Sequence, residues 1–257
     1  MAKSILAQAR SWATRNKLFG THAFLRYVMF RFLEDINRVS DEFIFKGGNL
    51  LWIYIQTPRA TVDLDLGTRE LDSHKRVRAL LDKACAVEPM PGDIRFSIVE
   101  FKEIDQDGKQ GAAITVSYQT DQGARNRFDI DVVYALPCDS GEMSSPIDPD
   151  QMIQTATLEN IICDKVATCY RFASGNTRMK DFDDLWRLAR SDVKVDSKKL
   201  NKLAKNRSIP LSLDNQWIGP EMARVWEPHQ RRYKDLPKTL EALFADVNTW
   251  LEGLGNS

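Results

Sequence analysis

Apolar residues recur at helical spacing through residues 3–38, where Phe24, Leu25, Val28, Met29 and Phe32 fall on one face of a helix turning about 100° per residue. The pattern then shortens. Residues 42–46, with Phe43, Ile44 and Phe45, read as a buried strand, 49–56 as a helix, and 61–66 as a strand in which polar and apolar residues alternate. A helix over 70–86 ends before Pro89 and Pro91. Three further strand-like runs, Ile94 to Lys102, Ala112 to Tyr118 and Arg127 to Tyr134, are joined by turn-rich segments at 105–108 and 120–123 and predict an antiparallel meander. The stretch from Pro137 to Pro149, with Pro146, Gly141 and several serines, reads as a connection between lobes. Helical patterns occupy 157–173, 179–191, 197–206, 215–229 and 237–252. This order predicts an α/β (α+β) fold: a lobe over 1–136 with N-terminal helices and a mixed sheet of about five strands, then a helical lobe over 150–257. No internal repeat or low-complexity segment interrupts it.

Candidate chemistry lies where these elements meet. On a strand over 61–66, Asp63 and Asp65 share one face while Val62, Leu64 and Leu66 point into the sheet. Two hard oxygen ligands on one edge suit Mg²⁺, which is held by one or two carboxylates together with substrate phosphates. Gly47 and Gly48 stand between a strand and a helix, where bare backbone amides can cradle phosphate oxygens. Asp129 and Asp131 again share a face in the last strand of the meander. A glycine pair alone is ordinarily a turn, and paired aspartates alone are ordinarily a solvated strand face. Here they occur together, in the order strand, glycines, helix, strand. Lys165 falls in the middle of an apolar stripe made by Leu158, Ile162, Cys169 and Phe172. Lysines are almost never buried unless paired, so its ammonium either snorkels to water or projects into a cleft.

The strings Phe43-x-Phe45-Lys46-Gly47-Gly48-x-x-Leu51 and Arg59-Ala60-Thr61-Val62-Asp63-Leu64-Asp65 resemble DNA polymerase β-like nucleotidyltransferases, and within them the AbiEii/AbiGii toxins of bacterial toxin–antitoxin and phage-defence systems. Glu159-x5-Lys165 and Arg178-Met179-Lys180-Asp181-Phe182-Asp183-Asp184-Leu185 carry the same resemblance, which runs from about residue 40 to residue 190. Asn49 departs from it, standing where the family often has Ser or Thr. The resemblance implies transfer of a nucleoside monophosphate from an NTP to an acceptor hydroxyl. Asp63 and Asp65 would hold Mg²⁺ or Mn²⁺ with a third carboxylate, for which the family pattern favours Asp131, Asp129 being the alternative. Gly47, Gly48 and Asn49 would bind the triphosphate, Lys165 would neutralise it with Lys180 beside the nucleotide, and Arg59 and Thr61 would support the loop before the metal strand and contribute to nucleotide binding, Arg59 by reaching a phosphate. Lys180, Asp181 and Asp184 are carried over from the family motif, although Asp184 lies off the packing face of its helix and can also be read as simply solvated. The implied acceptor is the 3′ end of a tRNA or another RNA, and a cognate antitoxin is the implied partner. Replacing Lys165 by Met is expected to weaken NTP binding with stability kept or improved.

Composition narrows the reading. The 257 residues, 43% hydrophobic, support a sizeable core, and the net charge is zero, so any nucleic-acid affinity must come from local patches. Residues 1–33 hold Lys3, Arg10, Arg15, Lys17, Arg26 and Arg31 and no acid; residues 165–207 hold twelve basic and five acidic residues. Either set is equally read as a solvated helix face. Cys85, Cys138, Cys163 and Cys169 lack metal-ligand spacing, so structural zinc is not expected. No apolar run approaches the length of a membrane span, and reduced thiols in a cytoplasm are expected. His22, His74 and His229 receive no role. A metal-dependent nuclease using the same acids, or a catalytically silent NTP-binding protein, are the competing readings.

Overall fold

The structure, a computed structural model, describes residues 4–89, 93–106, 109–136 and 138–255; Pro91, Pro137 and the tip of the 105–108 turn lie outside them. The chain divides into two compact units, Met1–Ile53 with Pro58–Ala156, and Tyr54–Thr57 with Thr157–Ser257.

The first unit is a seven-stranded mixed sheet with helices. The predicted helix over 3–38 is two helices, α1 (Ile5–Arg15) and α2 (Thr21–Val39). The break falls at Gly20, whose φ of 77° is open to glycine without penalty. Next come β1 (Phe43–Lys46), α3 (Gly47–Ile55), β2 (Asp63–Thr68), α4 (His74–Cys85), β3 (Ile94–Gln106), β4 (Lys109–Thr120) and β5 (Arg125–Val133). The supposed connection contains a strand, β6 (Ser140–Ser144), which pairs with β7 (Met152–Ala156). The sheet order is β3-β4-β5-β2-β1-β7-β6. Both pairings of β2 with β5 and of β1 with β7 are parallel; the rest are antiparallel. Phe30, Phe32, Phe43, Phe45, Leu64, Leu66 and Ile130 are fully buried in its core, where α2 meets the sheet through Phe30 on Phe45 and Phe32 on Phe128. Val62 departs from the expected alternation. It precedes β2 and is 48% exposed.

The second unit is helical: α5 (Leu158–Phe172), α6 (Met179–Ala189), α7 (Ser197–Asn206), α8 (Pro220–Arg232) and α9 (Leu240–Gly255). The predicted 215–229 helix starts later, at Pro220, after a 3₁₀ turn at Asn215–Trp217. Thr157 caps α5 by accepting from the Asn160 amide, and Asp196 caps α7 by accepting from the Lys199 amide. Phe182 packs on Phe244 to join α6 and α9. Among the described residues no helix is long and apolar enough to cross a membrane.

Candidate active site

β2 lies inside the sheet, and its two neighbours deliver the rest of the site. The parallel register sets Asp63 opposite Asp129 and Asp65 opposite Asp131, while antiparallel β1 sets Lys46 opposite Asp65. One ligand oxygen from each of Asp63, Asp65 and Asp131 lies within 4.8 Å of the other two. Asp129 stands outside that group and accepts a 2.8 Å hydrogen bond from Thr115 Oγ1. Burial raises the Asp131 carboxyl above its ordinary range; the charges of Asp65 and Asp63 push the same way, and Lys46 opposes them. Like charges held this close disfavour full ionisation unless a cation lies among them. The donor set, all carboxylate oxygen, fits a hard divalent ion.

The glycine pair is the first turn of α3. Gly47 has a φ of 76°, and a Cβ there would collide with the Asp65 carboxylate. A Cβ at Gly48 would come within 2.6 Å of Arg59 Nη2 and 2.8 Å of Thr61 Oγ1. Side chains at either position would therefore fill the space between the helix start and the loop leading into β2. Thr61 Oγ1 is buried and has no hydrogen-bond partner, an expensive arrangement unless a ligand oxygen or N–H meets it. Bare amides, an orphan hydroxyl and a nearby guanidinium are the chemistry of a phosphate cradle.

Asn49 is not in that cradle. Its side chain is fully buried, accepting from Arg26 Nε at 2.9 Å and donating to the Asp63 carbonyl at 2.7 Å. The amide that was expected to touch phosphate instead ties α2 to the first residue of the metal strand. Arg26 is the residue that sequence reasoning missed. The basic run over 1–33 reads equally as a nucleic-acid patch or a solvated face, yet Arg26 is 4% exposed, stacks 4.5 Å from the Trp52 ring centroid and also donates to the Arg59 carbonyl. Burial, with the Arg59 charge, pulls its guanidinium down to about 10. Its signal was present in the string Arg26-Tyr27-Val28-Met29-Phe30, a charge set within a run of large apolar residues. Arg31 is likewise buried, bridged to Glu34, Asp35 and Asp93.

In the second unit, Lys165 neither snorkels nor stands apart. Its ammonium lies 2.5 Å from Asp184 Oδ2 and 3.4 Å from Asp181 Oδ1, and Arg178 Nε reaches the other Asp181 oxygen at 3.1 Å. Asp184, also readable as solvated, is fully buried. Phe172, placed in the apolar stripe, is 41% exposed, and Lys180 is exposed in the first turn of α6. Asp183 is buried too, between Arg187 and His229. Lys165, Arg178, Arg187 and, through its pairing with Asp164, Arg207 are thus internally neutralised, which removes part of the positive charge counted over 165–207.

A carboxylate triad on adjacent strands of a mixed sheet, beside a glycine-started helix, is the arrangement of a nucleotidyltransferase. The chain is similar to the crystal structure of a candidate nucleotidyltransferase from H. pylori, at 14% identity and a TM-score of 0.55 over 93% of this chain and 96% of that one. It is equally similar to JHP933 from Helicobacter pylori, at 15% identity and a TM-score of 0.55 over 93% and 94% of the two chains. These likenesses are of fold. A comparison with curated proteins found no match. The profile of the family described as nucleotidyl transferase AbiEii toxin, type IV toxin–antitoxin system, matches residues 31–252. The chain belongs to that family.

Proposed function

We propose that the protein transfers a nucleoside monophosphate from an NTP to the 3′-hydroxyl of an RNA, a tRNA by family likeness, as the toxin of a toxin–antitoxin pair with a role in phage defence. The observation that carries the reading is the convergence of Asp63, Asp65 and Asp131 within 4.8 Å beside the Gly47–Gly48 cradle. Mg²⁺ bound by these three carboxylates would neutralise charge at the reacting phosphate and help activate the acceptor oxygen. Asp131, the most exposed of the three, faces the acceptor and takes the proton of its hydroxyl. The hydroxyl oxygen bonds to the α-phosphorus as the bond to the bridging oxygen breaks, releasing pyrophosphate. Backbone amides of Gly47 and Gly48, the Thr61 hydroxyl and Arg59 hold the triphosphate. Asn49 and Arg26 act behind them by fixing the backbone at Asp63 and placing a buried positive charge under the loop. Lys165, supported by Asp181 and Asp184, is proposed to neutralise phosphate, with Lys180 assisting. The family supports the further reading that transfer takes place in a bacterial cytoplasm and is countered by a cognate antitoxin.

The test is label transfer. Each of the four α-³²P NTPs is incubated with the protein, Mg²⁺ and, separately, total tRNA, ribosomal RNA and cell protein. Label on the 3′ end of tRNA is expected. Label on protein alone moves the acceptor to a protein side chain, and RNA cleavage without NTP makes the site a nuclease.

A further inference from the structure

The first unit carries a groove of about 830 Å³ that the nucleotide chemistry does not use. It lies between α1, the connection through Phe19, and the start of α2, and it reaches Val62, Tyr118 and Asn126. Its surface is aromatic and apolar. Phe19 is 86% exposed and Val62 48%, and the rings of Phe24 and Tyr118 lie 6.2 Å apart. Such large apolar side chains left in water on a single concave surface mark a binding site.

Position and charge identify the occupant. Val62 immediately precedes Asp63, so the groove ends where the metal strand begins. Asn126 lies opposite Tyr118 at the start of β5. Its neighbours Arg125 and Arg127 alternate to the other face, the one shared by Asp129 and Asp131, and both are exposed. Arg10 lines the groove and is exposed, and no acidic residue occurs between residues 4 and 33. Cations therefore flank both faces of one end of the sheet, with an aromatic groove on one face and the triad on the other. A single strand matches this arrangement: phosphates meet the cations as the chain rounds the end of β2, and unpaired bases stack on aromatic rings.

Resting on the reading of an RNA acceptor, we infer that the groove between α1 and α2 binds an unpaired base of the acceptor's 3′ strand, upstream of the nucleotide whose hydroxyl reaches Asp131. Phe19 supplies the stacking face, Asn126 offers hydrogen-bonding groups to the base edge, and Arg10 holds the adjoining phosphate.

The test is direct binding. A 5′-fluorescein single-stranded octaribonucleotide with a free 3′-hydroxyl is titrated with the protein without NTP, followed by anisotropy. Phe19→Ala is expected to weaken binding about tenfold, the usual effect of removing one stacking ring, without lowering the melting temperature, because Phe19 is exposed. Phe19→Trp restores it. Arg10→Ala reduces the slope of log affinity against log salt by about 0.7, as loss of one phosphate contact on a single strand requires. Failure of the wild type to bind, an unchanged affinity in Phe19→Ala, or equal competition by a blunt RNA duplex overturns the inference, the last leaving the groove to a peptide or another apolar ligand. The acceptor reading is decided separately. RNA labelling by a protein whose oligonucleotide binding ignores Phe19 keeps that reading and removes the groove's role. Phe19-dependent binding with no RNA labelling does the reverse.

Discussion

Lys165→Met separates two roles that the sequence alone merges. Met keeps most of the stem's volume, so little packing is lost. What disappears is the positive partner of two buried carboxylates, Asp184 with no exposed side-chain surface and Asp181 with 7%. Asp181 retains Arg178 at 3.1 Å, while the fully buried Asp184 loses the cation that lies 2.5 Å from it. Removing one member of a buried ion pair ordinarily costs ~3–5 kcal/mol, because the remaining charge stays desolvated. For a chain of this length that corresponds to a fall in melting temperature of ~6–20 °C. The expected outcome is thus marked destabilisation, the opposite of the expectation drawn from an apolar stripe. Differential scanning calorimetry of wild type, Lys165→Met, Asp184→Asn and the double variant closes a thermodynamic cycle. The double variant should recover a large part of the loss, since a neutral amide no longer needs the ammonium. A Lys165→Met protein melting within about 2 °C of wild type refutes the buried-pair argument. NTP titration well below the variant's melting temperature then reads phosphate binding by itself: unchanged affinity leaves Lys165 a purely structural cation.

Asp63→Asn and Asp65→Asn should each abolish transfer while leaving the melting temperature unchanged or raised in the absence of metal, because each relieves repulsion within the triad; Mg²⁺ should raise the melting temperature of the wild type only, and clear destabilisation with retained activity counts against the metal assignment. Gly47→Ala should destabilise by at least ~1–2 kcal/mol from the positive φ alone and also lose metal-dependent stabilisation, since the added methyl displaces Asp65; urea unfolding with and without Mg²⁺ measures both. Burial raises the Glu34 carboxyl to about 7 from its ordinary 4.5. Between those pH values the unfolded chain releases a proton that the folded chain keeps, so this group subtracts up to ~3 kcal/mol of stability as pH rises through the window. Glu34→Gln should flatten that part of the stability profile, and an unchanged slope between pH 5 and 7 rules the effect out.

The legible part of this protein is the part built from local periodicity. Alternation in 61–66 and 127–134 put Asp63 with Asp65 and Asp129 with Asp131, and both pairs face as period two requires. The family pattern favours Asp131 over Asp129, but that Asp131 lies with Asp63 and Asp65 within 4.8 Å depends on the parallel register of β2 on β5, a long-range pairing that no local window contains. β6 and β7 were missed for a related reason. Ser140-Gly141-Glu142-Met143-Ser144 has little strand character, and it becomes a strand because β7 is held by β1 on its other side. Arg26 reads only as one charge in a basic run, Asn49 only through a family motif, and Asp184 from a helical wheel, which divides residues into inside and outside. It has no place for a polar side chain buried against a partner from a distant element.

Phe45 pairs with Thr155, and this pairing bears on how the enzyme comes into being. β1 leads directly into Gly47, yet one of its two neighbouring strands is encoded more than a hundred positions downstream. During synthesis from the N-terminus, at ~5–20 residues per second, one edge of β1 stays open for ~1–5 seconds after the last triad residue, Asp131, has left the ribosome. A chain interrupted before β7 exposes that edge to pairing with other chains. Completion of the sheet around the site is therefore a late event in the life of the nascent chain, and truncated products carry the catalytic residues without the strand that closes the sheet around them.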